Sequence, residues 1–227
     1  MKIGVIVAMQ AEYELICEWL ENKVERKVGG ISFLEGQTGG QSVVLMRSGI
    51  GKVCSAVGAV EMIRVFQPDV LINTGVAGGI DASLNVMDIV VGQRMVYHDV
   101  WCGEGNAYGQ VQGMPAYFRA DQHMHRVAMS LETDVCLKDG LICSGDRFIT
   151  DRESLERIKS DFPEGLAVDM ESCSIAQVCY MYDVPFLSFR VISDIPGAAK
   201  HAEQYRNFWV TAPRKSFQVF RQLLAKL

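Results

Sequence analysis

The chain has 227 residues, of which 49% are hydrophobic and 22% charged, with a formal net charge of -5 at pH 7. That apolar content suffices for the core of one large α/β domain, and with no internal repeat or linker residues 1–227 are expected to form a single domain. The acidic balance and the lack of any Lys/Arg run argue against a nucleic-acid partner, and no apolar segment reaches the roughly 18–20 residues that span a bilayer, so neither nucleic acid nor membrane is expected and a small-molecule partner is.

Residues 2–8 form a short apolar run after one Lys, with no A-x-A cleavage site before the acidic stretch QAEYELICEWLENK. They read as a first buried strand and not as a signal peptide. Tyr13, Ile16, Cys17 and Leu20 then fall on one helical face. Segments 31–36 and 42–48 flank Gly39-Gly40 as a hairpin, and residues 53–66 read as a helix stopped by Gln67-Pro68. A strand at 69–73 enters the glycine-rich stretch 73–79, read as a loop, and another strand follows near 88–97. Residues 98–120 lack a period and read as a long functional loop. Helices near 121–132, 151–160, 171–182 and from about 206 alternate with strands near 135–143, 166–170 and 186–192. This alternation predicts an α/β fold, a three-layer α/β/α sandwich around a central mixed sheet. The seven cysteines are odd in number and lack a C-x-x-C pair. They read as buried free thiols in a reducing compartment, and a cytoplasmic location is expected.

Asn73-Thr74-Gly75-Val76-Ala77-Gly78-Gly79 follows a strand, where ligand-binding backbone is expected, yet it is not G-x-G-x-x-G. Its glycines admit two readings, close approach of backbone to a ligand or a tight turn. Ser48-Gly49-Ile50-Gly51-Lys52 lacks the first Gly and the Ser/Thr of a P-loop, which excludes triphosphate binding of that type. Glu12, Asp169-Met170-Glu171 and Ser193-Asp194 all lie at predicted strand carboxyl ends, which gather at one rim of an α/β sheet. Each acid alone also fits a helix cap or first-turn carboxylate. Together, with Arg190 nearby, they point to a site. His123 and His125 face different sides of a helix and do not make a metal site. His98-Asp99 reads as structural or ligand-adjacent, and no G-x-S-x-G or reactive-cysteine pattern supplies a covalent nucleophile.

Seven stretches carry a resemblance: MKIGVIVAM through Glu12, SGIGKV at 48–53, INTGVAGG at 72–79, YHDV at 97–100, SGDRFI at 144–149, AVDMES at 167–172 and RVISD at 190–194. In this order they resemble the bacterial 5′-methylthioadenosine/S-adenosylhomocysteine nucleosidases of the nucleoside phosphorylase superfamily. The resemblance implies a nucleoside phosphorylase-like fold and hydrolysis of adenosine thioethers to adenine, in methionine salvage and clearance of methyl-cycle by-products. It implies Asp194 as the acid protonating adenine N7, held by Ser193, and Glu12 as the base for the attacking water. Glu171 would take the ribose hydroxyls, paired to Arg190, with Met170 against the sugar. Phe148 would stack on the purine, the backbone of Ile149 would read its edge, and Met9 and Ile50 would line the 5′ pocket. No metal or cofactor is implied, and a homodimer is.

The chain departs from the family pattern at Val76, where a Ser is frequent and its hydroxyl is missing from the ribose site, and at Asp169, where Glu is frequent. The loop at 101–113 diverges too. Two other activities stand beside hydrolysis of methylthioadenosine: phosphorolysis, which Glu12 disfavours by repelling phosphate, and hydrolysis of aminodeoxyfutalosine. A binding protein without catalysis would lack reason to keep both Glu12 and Asp194.

Overall fold

The computed structural model describes residues 1–198, 201–211 and 213–227. Strand β1 (Lys2–Val7) leads into α1 (Gln10–Cys17), followed by β2 (Glu21–Val28), β3 (Ile31–Thr38) and β4 (Gln41–Arg47). Next come α2 (Lys52–Phe66), β5 (Val70–Gly79) and β6 (Ile89–Tyr97). A long connection ends in the short β7 (Phe118–Arg119) before α3 (Gln122–Met129). Then β8 (Leu137–Ser144), α4 (Arg152–Asp161), β9 (Gly165–Asp169), α5 (Ser172–Tyr182) and β10 (Phe186–Asp194) alternate, and α6 (His201–Thr211) and α7 (Pro213–Lys226) follow.

The strands form one mixed sheet. β1 lies parallel between β4 and β5, and β10 lies parallel to β5 and antiparallel to β6. β8 runs parallel to both β6 and β9, and β9 returns antiparallel to the end of β5. Strands β5, β10, β6, β8 and β9 therefore close into a ring, from which β1, β4, β3 and β2 extend. Alternation along β1 divides the core: Ile3, Val5 and Val7 pack with α1, α3 and α7, whereas Ile6 packs with α2 and α5. Helices thus cover both faces, as expected for the α/β/α arrangement. Among the described residues no helix is long and apolar enough to cross a membrane.

Four expectations change. Helix α1 stops at Cys17, and the charged stretch that follows becomes β2, which pairs antiparallel with β3 at the end of the sheet. Residues 73–79 are not a loop but most of β5, bonded to β10 and β9. The carboxy-terminal helix expected from about 206 is two helices, the first starting at His201. Of the cysteines, Cys143, Cys173 and Cys179 are buried, whereas Cys54, Cys102 and Cys136 are exposed. The irregular segment after β6 is tied down at its start: Asp99 accepts from Lys52 Nζ at 3.0 Å through both oxygens and from the Asp146 N–H at 2.8 Å. Asp99 is thereby a structural clamp between that segment and the start of α2.

Candidate active site

The chain leaves β1 and turns at once into α1, placing Glu12 at the third helical position. An acid there favours the positive end of the helix, and the side chain also folds back on the turn. Its Oε2 accepts from the N–H groups of Ala8 and Met9 at 3.0 and 2.9 Å, and its Oε1 accepts from Val76 N–H at 3.0 Å. Burial raises the proton affinity of Glu12, and the charge of Arg190 and the three amides oppose that rise. Such close approach to β5 needs Gly75, with φ of +150°, because a Cβ there would lie 2.5 Å from Glu12 Oε1 and 2.9 Å from Arg190 Nη1.

Arg190, on β10, is 1% exposed. A cation so deeply buried requires partners. Its Nε pairs with Asp169 Oδ2 at 2.8 Å, and its Nη2 reaches Glu171 Oε2 at 3.4 Å and bonds to Asn73 Oδ1. The closer carboxylate is thus Asp169, where the sequence reading paired Arg190 with Glu171 alone. Asp169 is further fixed by hydroxyl donation from Ser144, at 2.5 Å, and from Ser172. Glu171 precedes α5 and accepts the Gly51 N–H at 3.0 Å, across the turn that opens α2. Desolvation pushes its pKa up to about 7, with Arg190 pulling the other way and Asp169 adding repulsion.

At the other end, β10 finishes in Ser193 and Asp194, both 1% exposed. Ser193 Oγ donates to Asp194 Oδ1 at 2.5 Å, and His201 Nε2 lies 2.7 Å from Asp194 Oδ2. Burial raises the Asp194 pKa, while the contacts with Ser193 and His201 hold that rise back. Phe148, after β8, places its ring 5.8 Å from that of His201 and 5.7 Å from that of Tyr205. Tyr205 also reaches Met9, its hydroxyl 3.5 Å from Sδ.

These groups surround one cleft. Its lining includes each predicted site residue: Met9, Glu12, Ile50, Val76, Phe148, Ile149, Met170, Glu171, Arg190, Ser193 and Asp194. Ile149 is buried, Met170 half-buried, and Ile50 and Phe148 are exposed at the mouth. Arg147 and Tyr205 also line the cleft, and His201 touches its acid; the sequence reading named none of them. Arg147 lay within a quoted motif, but Tyr205 and His201 belong to a helix with no motif to mark it. Among the described residues, no group of three or more His, Cys, Asp or Glu is placed to hold a metal.

A family model described as the phosphorylase superfamily matches residues 2–225. The 5′-methylthioadenosine/S-adenosylhomocysteine nucleosidase of Actinobacillus succinogenes is 41% identical over 230 residues, covering 100% of each chain. The chain belongs to the phosphorylase superfamily and, within it, to this nucleosidase family. Two solved nucleosidases of the family are similar throughout. That of Colwellia psychrerythraea, in complex with adenine, has a TM-score of 0.94 at 37% identity, over 100% of this chain and 96% of the other. That of Streptococcus pneumoniae, with a transition-state inhibitor, has a TM-score of 0.94 at 38% identity, over 100% and 99%. In this member of the family, Val76 serves Glu12 through its main-chain N–H, a contact its side chain does not alter. Asp169, one methylene shorter than Glu, still reaches Arg190.

Proposed function

We propose that the chain hydrolyses the N-glycosidic bond of 5′-methylthioadenosine, S-adenosylhomocysteine and 5′-deoxyadenosine, releasing adenine. The observation that carries this reading is the pairing, in one cleft, of two buried carboxyl groups, Asp194 beside the aromatic rings and Glu12 beside Arg190 and Glu171. Adenine leaves poorly as an anion. Asp194, whose proton is held tightly by burial, donates it to N7, and the N9–C1′ electron pair moves into the neutral base. Positive charge grows at C1′ and is favoured by the nearby carboxylates. Water bonds to C1′ and gives one proton to Glu12. Glu171 accepts from the ribose hydroxyls, Met170 packs on the sugar, and Phe148 and the Ile149 backbone hold the purine. Met9 and Ile50 border the 5′ substituent.

The two acids make opposite demands on pH. Asp194 must be protonated, so its raised pKa extends activity upward and rate falls as pH rises through it. Glu12 must be ionised, so its raised pKa makes rate fall sooner on acidification. The rate profile is expected to be a bell. Phosphorolysis is disfavoured because a phosphate near the sugar would meet Glu12, while the buried cation Arg190 is already paired with Asp169 and Glu171. The reading is of a single cytoplasmic domain that acts as a homodimer. Ile50, Val53 and Val57 expose 54%, 73% and 51% of their surface along the start of α2, and Trp101 exposes 58%. The Lys52–Asp99 ion pair brings that helix start and the loop of Trp101 together. A second copy on this apolar surface would cover the mouth beside Ile50.

The test is adenine release from methylthioadenosine in phosphate-free buffer, with free methylthioribose as the second product. Strict dependence on phosphate would make the activity phosphorolysis. Asp194→Asn should fold and lose about 10²–10⁴-fold in turnover, since an amide cannot deliver the proton; wild-type turnover in that variant would remove Asp194 as the acid.

A further inference from the structure

Both oxygens of Asp194 are engaged: Oδ1 by the Ser193 hydroxyl at 2.5 Å, and Oδ2 by His201 Nε2 at 2.7 Å. In its acid form Asp194 has one O–H to give; with Ser193 donating to Oδ1, the oxygen left to carry it is Oδ2, which already faces His201. His201 opens α6 and is 7% exposed, so the contact is buried inside the cleft wall and is not a surface ion pair. Its ring lies 5.8 Å from Phe148 at an interplanar angle of 46°, and Tyr205, one turn further along α6, lies 5.7 Å from Phe148 at 65°. The aromatic end of the cleft is therefore furnished from two sides, by the connection after β8 and by one face of α6.

Imidazole is the five-membered half of a purine. A flat aromatic ring that sets one nitrogen at hydrogen-bond distance from Asp194 and stands near Phe148 makes the two contacts that the N7 edge of adenine would make. We propose that His201 takes the place of the purine's five-membered ring at Asp194, and that it leaves Asp194 Oδ2 when a nucleoside binds. This rests on the reading of Asp194 as the purine-facing acid. Ser193 keeps Oδ1 throughout, so the carboxyl is held in place by one partner and exchanged between two others. Purine binding is then a competition with a tethered ring, and apparent affinity is the intrinsic affinity multiplied by the fraction of molecules in which the ring is away. The same competition favours departure of adenine after cleavage, because His201 can retake Oδ2.

Adenine itself is the probe. Calorimetric titration of the full chain with adenine should show His201→Ala binding about tenfold more tightly than wild type, as expected if His201 covers Asp194 in nine molecules of ten. Ordinary damage to the site would weaken binding, so the direction of the change is decisive. Unchanged or weaker binding by the folded variant overturns the proposal. Should His201→Ala fail to fold, a structure of the wild-type protein with adenine decides: N7 at Asp194 Oδ2 with His201 displaced supports the stand-in, and His201 still bonded to Oδ2 overturns it. Full turnover by Asp194→Asn would remove the acid reading, whereas unaltered adenine affinity in His201→Ala removes the stand-in alone.

Discussion

At the end of the cleft assigned to the sugar, Glu12 and Glu171 follow the ends of β1 and β9, Arg190 lies within β10, and all three are at most 4% exposed, whereas at the end assigned to the purine Phe148 is 57% exposed on a connection and His201 and Tyr205 ride on α6. The first group is locked by ion pairs and by main-chain donors just after β1, within β5 and just before α2. The second is held by ring contacts and by the bonds to Asp194 and Met9. Groups that meet developing charge gain from being fixed beforehand, because no reorganisation is then needed during reaction. Groups that grip and release a flat base gain from contacts that can be exchanged.

Four substitutions sharpen or break this contrast. Glu12→Gln should cost about 10²–10⁴-fold in kcat with the fold intact by circular dichroism, because an amide is too weak a base for water and turns a donor toward main-chain N–H groups. A near-normal rate would place the base elsewhere. Gly75→Ala should cost about 10²-fold in kcat/KM, since displacing Glu12 and Arg190 by about 1 Å spoils the approach of water; full activity would mean that the sugar end yields easily and the contrast fails. Phe148→Ala should act mainly on KM, raising it by about tenfold, in line with the roughly 1–3 kcal/mol of base stacking. A kcat loss as large as that of Glu12→Gln would instead make the purine end part of the chemical step.

The smallest effect concerns stability. Glu171 has a folded pKa of about 7 against an ordinary 4.5, so the folded chain binds its proton more tightly than the unfolded one. That contribution is fully present below pH 4.5 and is lost as pH rises through 7. Glu171→Gln should therefore raise the melting temperature by a few degrees at pH 8 and little at pH 5, while lowering turnover. A variant less stable at pH 8 would show that the bonds to Gly51 and Arg190 outweigh the cost of burial.

Much of the rim could be read from the sequence because strand ends carry it. Runs such as VIVAM and RVISD mark both the buried strand and the residue that follows, and the family motifs supplied the roles. The glycine-rich stretch misled for a physical reason. In β5, Asn73 and Thr74 spend their polar groups on the carbonyls of Ile6 and Phe189, and Gly75 makes room for Glu12, so residues typical of loops satisfy a buried strand. β2 was hidden in another way. Its residues are exposed as far as Lys27, so no alternation marks it, and its charges suit a strand at a sheet edge. His201 and Tyr205 were illegible because their importance comes from where α6 docks, which no local pattern encodes.

Among the described residues, the hydrogen bonds that hold Glu12 all come from main-chain donors, those of Ala8, Met9 and Val76. Every amino acid except proline offers the same N–H, so side chains at these three positions can drift without unseating the carboxylate. Two of them, Met9 and Val76, also face the cleft. The walls that select a substrate's shape can thus be rewritten by mutation one residue at a time, while the group assigned to activate water keeps its position through each step.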